Sequence, residues 1–325
     1  MGAVTVPRIA SIDYYGLHKI PETRIQKVLG LKAGDSFPPS KGEIEDRIED
    51  IPGVLTARLE AVCCEQGRGI LFVGIEEKGG NHFQYHSPPA GAAVLDPEIL
   101  AIYHDLVQAV QVAVRRGSTR EDLTQGHSLM ADPDARAIQE QFPVYAKEHI
   151  TALRGVVRNS ADEEHRAIAA TILGYAPDKT TVIDDLEYAM QDPVQGVRAS
   201  AMSALNAIAV LARLQPDLGI KIHPTWFIEM LNSVVLTDRT RSLDALVTLT
   251  DSRDANTLAQ LRERALPSLA EMAQWKSLPH ALPAFLLVGR IGNVAEEQIY
   301  ASWTSGDRAG MILRVVSPAR AKKKK

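Results

Sequence analysis

The chain has 325 residues, 45% hydrophobic and 23% charged, with a formal net charge of −4, which is the balance of a folded globular protein. Four lysines close the sequence, so the rest carries −8, an acidic body that argues against nucleic-acid binding through a basic face. Aromatics make up only 5%, and the two cysteines, Cys63 and Cys64, are adjacent, which excludes a disulfide framework and a four-cysteine zinc site.

Residues 8–15 read as a strand, rich in β-branched and aromatic side chains and stopped by Gly16. Over 21–29, Ile25, Val28 and Leu29 recur at helical spacing, and Gly30 ends the run. A second helix is expected over 41–51, with Ile44, Ile48 and Ile51 on one face and Pro52-Gly53 as its stop. From 55 to 63 the pattern alternates. Leu55, Ala57, Leu59, Ala61 and Cys63 face one way; Thr56, Arg58, Glu60 and Val62 face the other. A turn at 66–69 returns the chain as a strand over 70–75, giving a hairpin with one face buried under two helices.

Residues 79–94 are Gly, Pro and small polar residues without a period, a linker. Beyond them nearly everything reads helical. Asp96-Pro97, Asp132-Pro133 and Asp192-Pro193 each place an acid at the N-cap before a proline. Ser118 with Glu121 and Ser160 with Glu163 fit capping boxes, and stops are expected at Gly117, Gly174, Pro216 and Pro279. No apolar run approaches the ~18 residues that span a bilayer. The opening MGAVTVPRIASI shows no basic start followed by an apolar run, so no secretory leader is expected.

The helical half also repeats itself. Residues 192–208 align with 161–176 at an offset of 32, placing Arg198 on Arg166, Ala201 on Ala169 and Leu205 on Leu173. An offset of 41 maps the same positions onto Arg239, Ser242 and Leu246. Helical pairs recurring at this period indicate an α-solenoid.

Two family resemblances follow. The β-α-α-β-β order over the first 78 residues resembles the polypeptide-transport-associated (POTRA) domain. It does so through Ile9, Ile12 and Tyr14 before Gly16, through Leu29-Gly30-Leu31 leading to Gly34-Asp35, through the 48–54 stretch, and through Leu71, Val73, Ile75 and Glu77. The pattern Asp192-Pro193, Val197-Arg198, Ala201 and Ala204-Leu205 is similar to the HEAT repeat. The fold expected is therefore α+β and multidomain: a POTRA-like domain over 1–78, a linker over 79–95, a HEAT-like α-solenoid over 96–316 and a basic tail over 317–325.

The resemblances imply protein-binding modules. In POTRA domains a partner strand adds to an exposed sheet edge beside the second helix, which points to Leu55, Thr56, Arg58, Glu60 and Val62 as partner-binding. Arg58 and Glu60 serve equally well as edge protection. HEAT-like solenoids bind through a concave face. In that family the repeated Arg pairs with the acid of the preceding turn, here Arg198 with Asp192, and Arg166 and Arg239 hold the same position. The function expected is a non-enzymatic adaptor or scaffold for a protein or polypeptide partner. The alternative is a helical-repeat enzyme or nucleic-acid protein of the glycosylase or lyase kind. Against that alternative, residues 81–321 carry 22 basic and 28 acidic side chains. The POTRA resemblance implies the bacterial envelope or periplasm, whereas the absence of a visible leader is expected either of a cytoplasmic protein or of a mature form whose leader has been removed. POTRA domains usually precede an outer-membrane β-barrel, and this chain has none.

No catalytic constellation stands out, whether phosphate loop, nucleophile elbow, H-E-x-x-H or C-x-x-C, and neither cofactor nor metal is expected. Strand alternation points Cys63 inward and Cys64 outward, so the two thiols are separated. His82 and His86 have metal-pair spacing but sit between glycines and prolines, where a helix is improbable. Asp184, Asp185 and Glu187, like Glu163, Glu164 and His165, read as solvated helix surface. Trp226, Trp275 and Trp303 read as packing residues, and the Lys tail as a solubilising end.

Overall fold

The computed structural model describes residues 7–65, 68–80 and 83–317. Its elements run β1 (Ile9–Tyr15), α1 (Glu22–Leu29), α2 (Gly42–Glu49), β2 (Val54–Glu65), β3 (Arg68–Glu77), α3 (Pro97–Arg115), β4 (Glu121–Asp122), β5 (Leu129–Met130), α4 (Pro133–Gln139), α5 (Phe142–Glu148), α6 (Ile150–Asn159), α7 (Glu163–Leu173), α8 (Ile183–Ala189), α9 (Gln195–Leu214), α10 (Thr225–Met230), α11 (Leu236–Leu249), α12 (Ala255–Arg264), α13 (Leu266–Met272), α14 (Leu278–Ile291), α15 (Glu296–Thr304) and α16 (Arg308–Val316). The protein is α+β, a small N-terminal sheet followed by a mostly helical region. It divides into two compact units. One gathers the described residues up to 83 with 228–243 and 252–317; the other holds 84–227 and 244–251. The sheet thus shares a unit with the last helices of the chain, a grouping that cuts across the sequence boundary at 79–95.

In the first unit the strand order is β1-β3-β2, with β1 parallel and β2 antiparallel to the central β3. A parallel neighbour requires a crossover, which α1 and α2 supply. Ile25, Leu29, Ile44 and Ile48 cover Ile12, Tyr14, Ala57, Leu59, Val73 and Ile75. Gly16 ends β1 at φ 80°, where a Cβ would stand 2.0 Å from the Ile75 carbonyl oxygen, so only glycine fits.

The hairpin is not buried on one face alone. Phe72 and Tyr15, whose side chains leave the α1/α2 core, are also fully buried. Phe72 meets the Trp275 ring edge-on at 4.8 Å and the His280 ring at 5.3 Å. Asp13, 3% exposed, accepts the backbone N–H of Lys276 (2.7 Å) and of Ser277 (3.2 Å), immediately ahead of α14. Trp275 Nε1 donates to the Tyr14 carbonyl and Lys276 Nζ to that of Ile12. The Glu271 carboxylate accepts from the amides of Gly16 and Leu17, and Tyr15 Oη donates to the Val234 carbonyl.

Several expected boundaries move. Pro279 lies in the first turn of α14 and opens that helix, because proline's missing N–H is harmless there. Ser118 starts no helix; Glu121 pairs with Met130 in a short hairpin. The cap of α7 is Asp162, which accepts from Glu164 N and His165 N, while Ser160 Oγ holds Asp162 N. Asp192 is not the N-cap of α9, which begins at Gln195 after Val194; its carboxylate accepts Val194 N (2.8 Å) and is bound by Arg166. Leu55 is 44% exposed although alternation placed it inward; a register shift between 54 and 56 turns Val54 in instead. The turn at 66–67 and the Lys tail lie outside the described residues.

The second unit is built on close helix contacts. α7 packs against both α6 and α9, with Ala169 and Ala201 fully buried, and a Cβ on Gly174 would come within 2.7 Å of the Ala204 Cβ. Small side chains let these helices approach, which accounts for the low aromatic content. Among the described residues helix α9 alone is long and apolar enough to cross a bilayer, by length and composition only. Over half of that stretch is buried inside the protein, and it carries Arg198 and Arg213. Lys179 is also buried, donating from Nζ to the Gly174 carbonyl (2.7 Å) and to His127 Nδ1 (3.4 Å). Burial pulls the Lys179 ammonium down to about 8. Burial, helped by Lys179, brings His127 down to about 4.

Two outcomes are expected. Asp13→Ala strands two buried amides and costs about 3 kcal/mol, read as a lower urea midpoint with Trp fluorescence as the probe. The Lys179 effect has a definite sign. Between pH 8 and 10.5 the unfolded chain holds the lysine proton and the folded chain does not, so stability rises with pH across that window. Relative to Lys179→Met, the wild-type protein gains roughly 2 kcal/mol between pH 7.5 and 9.5. A difference unchanged with pH contradicts the assignment.

Candidate functional site

The sheet order leaves β2 as a terminal strand, so every second amide of β2 points away from β3. Two of these are held by side chains of α2. Ala57 N donates to Glu49 Oε1 at 2.9 Å, and Leu59 N to Glu45 Oε1 at 2.6 Å. The geometry follows from the two periods. Four residues of helix advance about 6 Å and two residues of strand about 6.6 Å, so carboxylates at i and i+4 of a helix beside the strand match consecutive outward amides. Lys41, the residue ahead of α2, donates from Nζ to the Leu59 carbonyl (3.4 Å) and lies 3.9 Å from Glu60. Arg58 lies 3.7 Å from Glu49.

The predicted edge residues fall as follows. Thr56, Glu60 and Val62 are half-buried and Arg58 is exposed; they pair through β3 with Glu76, Phe72, Ile70 and Gly74 respectively. Leu55 is exposed by the register shift. Beside the strand lies a cleft of about 350 Å³ between Phe37, Pro38, Pro39 and Lys41 on one side and Leu59, Glu60, Ala61 and Leu71 on the other. Sequence reading missed Glu45 and Glu49. The signal was an acidic i, i+4 pair next to the apolar pair Ile44 and Ile48, on a helix that must lie along an edge strand.

The repeat arginines are all buried. The partner expected for Arg198 needs correction. The Asp192 carboxylate is forked by Arg166, from the preceding repeat position, through Nε (2.7 Å) and Nη2 (3.0 Å). Arg198 reaches instead the backbone carbonyls of Asp192 and Pro193 and stacks on Tyr85. Arg166 makes the same carbonyl contacts, to Ser160 and Ala161. Arg239, in the first unit, donates from Nε to the Ser233 carbonyl.

Other candidates resolve as structure. Asp185 is no surface residue: it is fully buried and clamped by Arg154 and Arg158 of α6. Glu187 accepts from the backbone N–H of His223, and His165 Nδ1 accepts from Leu95 N. His86 stacks on Tyr188 at 4.4 Å, while His82 and the side chains of Cys63 and Cys64 lie outside the described residues. Trp275 is core, and Trp303 packs on Phe285. Among the described residues no group of three or more His, Cys, Asp or Glu could hold a metal ion.

No known family model matches the chain, and no curated protein matches it.

Removing a carboxylate should expose its amide. In Glu45→Ala and Glu49→Ala, hydrogen exchange at Leu59 and Ala57 respectively accelerates by about tenfold or more, as expected when about 1.4 kcal/mol of protection is lost. Glu45→Gln keeps an acceptor and stays near wild type. Unchanged exchange in both alanine variants contradicts the capping role.

Proposed function

We propose that this protein is a non-enzymatic binding module that takes an extended polypeptide segment along β2. The observation carrying this reading is that the outward amides of Ala57 and Leu59 are satisfied by the side chains of Glu49 and Glu45 and not by backbone. A side chain can swing away from a strand edge; a paired strand cannot. An incoming strand exchanges two carboxylate bonds for two backbone bonds, so the ladder itself is close to neutral in energy. Net affinity then comes from side chains entering the cleft and from charge. The displaced carboxylates lie along the docked segment, which favours a partner with Lys or Arg at alternate positions. The apolar lining of the cleft, from Phe37 to Pro39 with Leu59 and Leu71, favours β-branched or aromatic residues between them. The POTRA-like element order supports the same mode and makes an envelope polypeptide the natural partner.

Titration of the full-length protein with a ten-residue peptide alternating Lys and Val tests this directly. Saturable amide shifts are expected at Ala57, Leu59 and Ala61. The same peptide N-methylated at alternate amides should lose most of its affinity, and a Glu/Val peptide should not bind. If both Lys/Val peptides shift the same amides equally, backbone pairing is not the mode; if neither does, β2 is simply a protected edge.

A further inference from the structure

In the first unit, a cavity of about 470 Å³ lies along β1, walled by Ala10, Ile12 and Tyr14 of the strand, Leu31 and Lys32 of the segment after α1, and Lys276. Its lining is mostly apolar, its charged side chains are both cationic, and no carboxylate belongs to the wall among the described residues. The acids nearest to it in sequence are engaged. Glu22 accepts Gln26 Nε2 at 2.6 Å, Asp35 accepts Lys32 N at 2.9 Å, and Asp13 is spent on the amides of Lys276 and Ser277.

Two donors of this wall are held in place without being used up. Lys276 Nζ donates to the Ile12 carbonyl at 2.8 Å, which pins the ammonium at the strand edge. An ammonium has three donors, and Lys276 makes no ion pair among the described residues. Tyr14 is 8% exposed, with its ring packed in the core under α1 and α2. Its Oη has no hydrogen-bond partner among the described residues, and it keeps contact with the surface, whereas the Oγ of Ser11 in the same wall is sealed off. Burial, followed by the charge of Glu22, pushes the Tyr14 phenol up to about 12, so it is a donor throughout the neutral range. Lys32 is exposed.

We propose that this cavity binds a small aliphatic carboxylate, with one oxygen on Tyr14 Oη, its charge met by Lys276 and Lys32, and its hydrocarbon chain against Ala10, Ile12 and Leu31. A phenol fixed by a packed ring is preorganised for an acceptor and gains most from a charged one. A wall with two cations and no acid favours an anion, and the apolar lining favours one with a hydrocarbon body over bare phosphate. The site lies on β1, at the opposite edge of the sheet from β2, and is independent of strand addition there.

The test is titration of the full-length protein with hexanoate, its neutral amide hexanamide, and inorganic phosphate, followed by amide shifts of Ser11, Ile12 and Ala33. Hexanoate should give saturable shifts with an apparent Kd below about 10 mM, and the amide and phosphate should bind at least tenfold more weakly. Tyr14→Phe keeps the ring and removes only the donor, so it should weaken hexanoate about tenfold, the loss of one hydrogen bond to a charged acceptor. Lys32→Glu, a change at an exposed position, should weaken it about three- to tenfold with the melting temperature unchanged; where Tyr14→Phe does not fold, this variant and the amide comparison decide. Absence of saturation at 50 mM hexanoate, equal binding of the amide, equal binding of phosphate, or unaltered affinity in either folded variant would each overturn the proposal.

Discussion

Asp13 sits within a strand, in the run Ile12 to Tyr15 whose four members are all buried. Its carboxylate spends both oxygens on the amides of Lys276 and Ser277, and the rest of the first unit is arranged around that bond. A buried carboxylate without donors would be prohibitively costly, so once β1 carries Asp13 the 276–277 turn must be there to receive it. The neighbouring contacts share the same directionality. Trp275 Nε1 reaches the Tyr14 carbonyl, Glu271 holds the amides of Gly16 and Leu17, and Tyr15 reaches the Val234 carbonyl. Apolar contact of Phe72 with Trp275 supplies area, but area is indifferent to register. The polar set, each member with one acceptable partner, fixes where the strand lies along the helices.

This arrangement decides which parts of the sheet remain available. A three-stranded sheet has two edges, and exposed edges invite unwanted pairing. The β1 edge is closed by other parts of the fold: Lys276 Nζ and Trp275 Nε1 take its outer carbonyls, and Ile9 exchanges backbone bonds with Gly34 and Asp35. Among the described residues, the β2 edge is closed by Glu45, Glu49 and Lys41, side chains on or beside the sheet's own α2. The first closure cannot be undone without separating packed elements. The second can be undone by rotating side chains, which is why the two edges differ in what they can do while both are protected at rest.

How much of this was legible depends on the range of each interaction. Periodicity located β1, α1, α2 and the hairpin to within a few residues, because the inner face obeys the pleat and the helix turn. The second buried face was written in β3 as Ile70, Leu71, Phe72 and Val73, an apolar run without alternation that marks a strand covered on both sides. What covered it lay two hundred residues away and had no local trace. Asp185 failed for the same reason. Its neighbours Asp184 and Glu187 make the segment look solvated, and only tertiary contact brings Arg154 and Arg158 to it. Capping errors were shorter in range. Ser160 and Asp162 are both competent caps two residues apart, and local geometry chose Asp162.

The repeated arginine separates these two kinds of information within one side chain. At each of positions 166, 198 and 239 the guanidinium binds the carbonyl six residues upstream, tying a helix to the turn that leads into it. That bond is local, and an offset in the sequence is enough to find it. The remaining donors face whatever the fold brings: the Asp192 carboxylate for Arg166, the Tyr85 ring for Arg198, and the Tyr15 ring with a distant Glu271 for Arg239. A buried guanidinium carries five donors and no acceptor, so a repeat that preserves the local bond still leaves several donors to be satisfied anew at each copy. Where the surroundings supply a carboxylate, as at Arg166, the residue is purely structural. At Arg239 they supply the face of Tyr15 and, at 3.9 Å, the Glu271 carboxylate, so the same sequence position is balanced by different partners at each copy.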